Sequence, residues 1–163
     1  MEWFVIAFVR ASVVWLASGV TLGVAMALAP SLVVYRPAHF HMNLLGFVAM
    51  MIFGVAYHVL PRFAGRPLHA PRLAAAHWWL ANAGLGLMVL GFALRPNGVE
   101  PLGSTLLGLG GLLSAAGAYA FGWNVWRSLG PARRLRSASL AAAPAAPPAP
   151  ASTRRRPLPV AGE

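Results

Sequence analysis

The sequence predicts an all-α integral membrane protein, a four-helix up-down bundle with both termini cytoplasmic. Three observations carry this. Hydrophobic residues make up 58% of the 163 positions and charged residues only 10%, far from the composition of a soluble domain. Four apolar runs each reach the roughly 20 residues that a helix rising about 1.5 Å per residue needs to cross a hydrocarbon core. The thirteen basic residues, all arginine, sit mostly on one side of those runs.

The runs lie at about 3–29, 39–61, 73–94 and 101–127. The first, opening "MEWF", lacks a basic start and exceeds the length of a signal peptide, so a retained helix is expected. Between the runs, "APSLVVYRPAHF", "PRFAGRPLHAPR" and "RPNGVEP" are short and carry prolines or an Asn-Gly turn signal, which predicts antiparallel neighbours. Arg62, Arg66 and Arg72 fall in the middle connection, and seven arginines from Arg127 to Arg156 follow the last run, against Arg36 and Arg95 in the alternate connections. Basic residues concentrate on the cytoplasmic side, hence the orientation. Gly and Ala crowd the last two runs, as in "LANAGLGLMVLG" and "LLGLGGLLSAAGAYAFG", and predict faces where backbones approach closely. The division expected is a transmembrane domain over 1–136 and an Ala/Pro/Arg-rich, disordered cytoplasmic tail over 137–163.

Several function classes drop out. With no cysteine, disulfides, thiolate metal sites and thiol catalysis are excluded. The net charge of +10 does not indicate nucleic acid, because no aromatic residue interleaves with the basic tail. The only acids are Glu2, Glu100 and Glu163, so no run carries a carboxylate for coupled transport. Membrane lipid is the partner that composition itself requires.

What remains is histidine. "RPAHFHMNLLGFVAMMIFGVAYHVLPRF" is apolar enough to span and still carries His39, His41 and His58. A polar side chain inside a bilayer faces the bundle interior, a neighbouring helix or a cofactor. Two residues apart on a helix, His39 and His41 differ by about 200° and point to opposite sides. They cannot chelate one ion, but each can serve a separate centre, and haem iron accepts an imidazole as axial ligand. His58 lies about 26 Å further along the axis and reads as an interfacial, hydrogen-bonded histidine. His69 reads as surface, and His77, beside Trp78 and Trp79, as an interfacial anchor or cap. Arg10 reads as a snorkelling side chain, and Met42, Met50, Met51 and Met88 as core packing. Arg36 and Arg95 share the outer side with His39 and His41, where guanidinium groups suit the carboxylates of a haem.

At these residues the sequence resembles subunit I of the haem-copper oxidases, the superfamily of cytochrome c oxidases and nitric oxide reductases. "AHFH" is similar to the His-x-His of its tenth helix. "YHVLPRFAGRPL", "AHWW", "LRPN" and "GWNVWRSL" then follow in the family's order, covering about residues 38–129. The resemblance implies haem b as cofactor, His39 as ligand of a high-spin haem, His41 as ligand of a low-spin one, and Arg95 as a propionate partner beside Arg36. The family's members carry about twelve helices in three groups of four, and this chain has one group. The family's copper-ligating helices have no counterpart, so no copper is expected, and dioxygen reduction at a haem-copper centre is not expected of this chain alone. Any activity would be that of an oxidoreductase. One histidine per face leaves a low-spin haem short of a ligand, which predicts a homo-oligomer, trimer or dimer, with haem held between copies. The expected function is electron transfer or binding of NO or O2 in a bacterial cytoplasmic membrane, served by an electron-donor protein on the outer side. The alternative is a haem-free accessory or assembly subunit of a respiratory complex.

Overall fold

The computed structural model describes residues 2–129, and the predicted tail over 137–163 lies outside them. Those residues form four helices long and apolar enough to cross a membrane: α1 (Trp3–Leu28), α2 (Pro30–Phe63), α3 (Pro71–Leu94) and α4 (Glu100–Leu129). The chain is a multi-pass membrane protein. Large apolar side chains point outward along all four, among them Leu28, Phe63 and Tyr119, each at least 80% exposed, as a lipid-facing surface requires.

The second span begins nine residues before the run read from the sequence. Pro30 opens a 3₁₀ turn (Pro30–Tyr35) and Pro37 stands in the first turn of the helical segment Arg36–His41 that continues it. Both prolines occupy first-turn positions, where the missing N–H leaves no bond unmade and the fixed φ suits the helix. After His41 the helix widens into a π-helical stretch, Met42–Ala49, before returning to regular α geometry over Met50–Phe63. Gly98, at φ +78°, closes the turn between α3 and α4 in the left-handed region that the Asn-Gly pair signalled.

Contacts pair the chain's ends into two groups. At one end, called here the Trp3 end, Phe4 and Phe8 of α1 pack on Tyr57 of α2, and Phe8 lies 4.9 Å from the His77 ring of α3. Phe121 of α4 closes this cluster, 4.6 Å from Phe53 and 5.3 Å from Tyr57. At the other, the Tyr35 end, the Asn97 amide donates to the Tyr35 hydroxyl at 3.0 Å, joining the starts of α2 and the end of α3.

The closest helix pair is α3 with α4. Along α3 the buried positions include Ala74, His77, Ala81, Gly84, Met88 and Gly91, with Leu85 beside them, and along α4 they include Gly103, Gly110, Gly117 and Asn124, with Ser128 beyond. The alternating three- and four-residue steps on α3 and sevens on α4 are the spacing of a left-handed helix seam. Backbones touch along it: a Cβ on Gly110 would stand 2.5 Å from the Gly84 carbonyl oxygen, and one on Gly91 would stand 2.7 Å from that of Gly103. The glycine-rich faces therefore meet each other within the chain. Asn124, wholly buried, fixes the start of α3, accepting from the Ala70 N–H at 3.0 Å and donating to the Ala70 carbonyl at 2.9 Å.

Candidate haem-ligand site

His39 and His41 leave α2 on opposite sides, as their spacing requires. His39 turns to α1. Its Nδ1 lies 2.8 Å from the Gly19 carbonyl oxygen, and its Cε1 is 2.8 Å from where a Cβ on Gly23 would stand. Glycine at both positions makes room for the ring and for Asn43, whose amide donates to the His39 carbonyl at 2.8 Å. His41 turns toward α3, its ring 4.9 Å from that of Phe92, with Nδ1 2.8 Å from the Pro37 carbonyl oxygen one turn back.

These contacts decide where the protons are. A carbonyl oxygen only accepts, so each Nδ1 carries a hydrogen and donates it, and in the neutral imidazole Nε2 is then the nitrogen with the lone pair. No side chain or backbone group among the described residues bonds either Nε2. Among the described residues the buried polar side-chain atoms without a partner are His77 Nε2 and Trp78 Nε1, and neither His39 nor His41 is fully buried. An imidazole whose second nitrogen donates to a carbonyl is oriented and made more basic for metal ligation. Among the described residues no three His, Cys, Asp or Glu side chains converge. An axial position on a haem iron asks for only one imidazole, and each of these two is prepared to supply it.

The flanking arginines differ. Arg95 Nε donates to Glu100 Oε1 at 2.9 Å, and both side chains are about half exposed. Together with Pro37, Phe92 and Val34 they line a groove beside the His41 ring. Arg36 is exposed on the same end and lines no part of that groove.

The remaining histidines separate into expected and unexpected. His58 lies at the Trp3 end, its Nδ1 accepting from Arg62 Nη1 at 2.9 Å, a hydrogen-bonded position as anticipated. His69 is exposed, and its backbone N–H donates to Ser128 Oγ at 2.9 Å. Arg10 is exposed beside Trp3 and Trp78, and Met50 and Met88 are buried packing residues. His77 corrects the reading as an interfacial anchor or cap: it is fully buried among Phe8, Phe53, Tyr57 and Phe121. The tryptophans beside it suggested an interface, but its surroundings come from three other helices. The π-helical stretch was also not anticipated. Asn43 and Gly46 inside an apolar run were its only sequence signal.

The described residues thus form a membrane helix bundle with two carbonyl-anchored imidazoles on opposite sides of one helix. The particular family is given by comparison: the chain belongs to the cytochrome c and quinol oxidase polypeptide I family, whose model matches residues 1–132. It is similar to the Cbb3-type cytochrome c oxidase subunit CcoN1 of Stutzerimonas stutzeri, 30% identical over 56% of this chain and 24% of the relative. Cytochrome c oxidase subunit 1 of Rhodobacter capsulatus is 28% identical over 64% and 24% of the two chains. A cytochrome c oxidase subunit 1 homolog of Agrobacterium tumefaciens is 29% identical over 68% and 25%. The chain thus spans about a quarter of the length of the curated relatives it matches.

Proposed function

We propose that this chain is a haem b protein of a bacterial cytoplasmic membrane, acting in electron transfer or in binding a small gas such as NO or O2. The observation that carries the reading is the geometry of His39 and His41: each has Nδ1 2.8 Å from a carbonyl oxygen, and no group among the described residues bonds either Nε2. His41 would hold a low-spin haem and His39 a high-spin one, and Arg95, beside the His41 groove, would meet propionates with the guanidinium nitrogens that Glu100 leaves over. Arg36 adds positive charge at the same end. Haem bound there supplies a one-electron couple and, with one axial position open, a site for a diatomic ligand. The residues themselves would orient the imidazoles and compensate carboxylate charge. No copper is included in this reading, and no nucleic acid partner.

In this reading the second axial ligand of a low-spin haem comes from another copy, in a homo-oligomer, trimer or dimer. The relatives are about four times longer, so further helices could equally come from a different subunit. In this reading the helices alternate up and down, both termini face the cytoplasm, and His39 and His41 lie toward the outer side, where an electron-donor protein has access. Native mass spectrometry of the haem-reconstituted chain from mild detergent tests the shared site. Haem retained only in species of two or more copies is the expected result. Stoichiometric haem on a single copy would contradict sharing, and no haem on any species would leave the accessory-subunit alternative.

A further inference from the structure

His77 carries an unmet hydrogen-bonding group in the middle of the helical unit. Its Nδ1 lies 3.0 Å from the Tyr57 hydroxyl, while Nε2 is buried without a partner. The ring cannot turn to mend this, because Phe8 and Phe53 hold it at 4.9 and 4.6 Å between centroids. On the remaining side its Cδ2 is 3.0 Å from where a Cβ on Gly117 would stand. A polar atom abandoned in an apolar interior costs about 1–3 kcal/mol, and a bilayer offers no bulk water to relieve it.

The same ring borders a cavity of about 50 Å³ between α2, α3 and α4. Its walls are apolar, Leu45, Ala49, Phe53 and Ala81 among them, with Ser114 as the one polar side chain besides His77. Tyr57 holds the Nδ1 edge of the imidazole and is not part of the lining, which leaves the Nε2 edge for the cavity. The Ser114 hydroxyl points at Met88 Sδ at 3.8 Å, a weak acceptor, and keeps its oxygen lone pairs. A water molecule needs roughly 10–15 Å³ and two or more polar partners; the cavity has the volume, and His77 and Ser114 are the polar side chains on its wall. An apolar occupant would leave Nε2 unsatisfied.

We propose that this cavity is a buried water site, with water held by His77 Nε2 and Ser114 Oγ. The site is independent of haem. It also has a consequence for the Trp3 end, where Tyr57 lines a larger cavity of about 510 Å³ together with His58 and Arg62. Tyr57, His77 and the bound water then form one hydrogen-bonded series from that cavity into the bundle.

The test is nitrogen-15 NMR of the histidine-labelled full chain in lipid nanodiscs, with His77→Gln used to assign the His77 signals. Magnetisation transfer from water to the His77 ring is the expected result. Ala49→Leu, which fills the cavity, should abolish that transfer while the His39 and His41 signals stay in place. Should Ala49→Leu fail to fold, Ser114→Ala serves instead and should reduce the transfer at least twofold. A folded chain whose His77 ring receives nothing from water, or whose transfer survives these substitutions unchanged, would overturn the proposal.

Discussion

His39 is held by two features of the facing helix, the Gly19 carbonyl that accepts a hydrogen bond from its Nδ1–H and the bare Cα of Gly23 against its Cε1. The second is the sharper test. A methyl group at position 23 would lie 2.8 Å from Cε1, so the imidazole has to tilt or withdraw. Gly23→Ala is expected to shift the haem absorption bands or weaken haem uptake severalfold with little change in thermal stability. Gly86→Ala, which would meet nothing within 4 Å, should leave the spectrum unaltered. Absorption titration with haem, beside a circular dichroism melt, measures both. That the two imidazoles point apart was legible in the sequence, since two helical steps settle it. Which neighbour each one faces was not, because the roll of α2 about its axis is set by Gly19 and Gly23 on one helix and Phe92 on another. His77 was misread for the same reason: its burial depends on Phe8, Phe53 and Phe121, none of them near it in sequence.

Among the elements, the α3–α4 seam makes the plainest energetic statement. Gly110→Ala places a methyl 2.5 Å from a backbone oxygen that cannot rotate away, whereas Gly108→Ala, two residues earlier, meets nothing. Overpacking typically costs about 1–3 kcal/mol, and replacing glycine inside a helix can return up to about 1 kcal/mol. Gly110→Ala should therefore lower the detergent melting temperature by several degrees, and Gly108→Ala should leave it equal or slightly higher. The seam was legible as composition before it was visible as contact, because small residues mark the faces where helices approach. The α2 start was not. Prolines at 30 and 37 read as breakers when taken alone, yet both fit the first turn of a helical segment. The π-helical stretch that follows His41 escaped for a different reason. Within it Gly46 seats against Trp15 of α1, where a Cβ would stand 2.5 Å from the tryptophan Cβ, a contact with a residue distant in sequence. Such widened turns recur at functional sites, and this one begins at the residue after His41.

At the level of the whole molecule, the chain spans about a quarter of the length of each relative, in four candidate membrane spans. In the proposed orientation the arginine-rich connections face the cytoplasm, and the absence of native cysteine makes that testable by single-cysteine labelling. Cysteines introduced at Gly65 and Gly98 should be reached from opposite sides of sealed vesicles, the first from the cytoplasmic side. Labelling from the same side would contradict the up-down arrangement. The central claim, haem on His39 and His41, is tested most directly by the reduced-minus-oxidised spectrum and pyridine haemochrome of the purified chain beside His39→Ala and His41→Ala. The account predicts a haem b signal that is lost or changes spin state in each variant. A folded chain that takes up no haem, or one whose spectrum is indifferent to both substitutions, would contradict it.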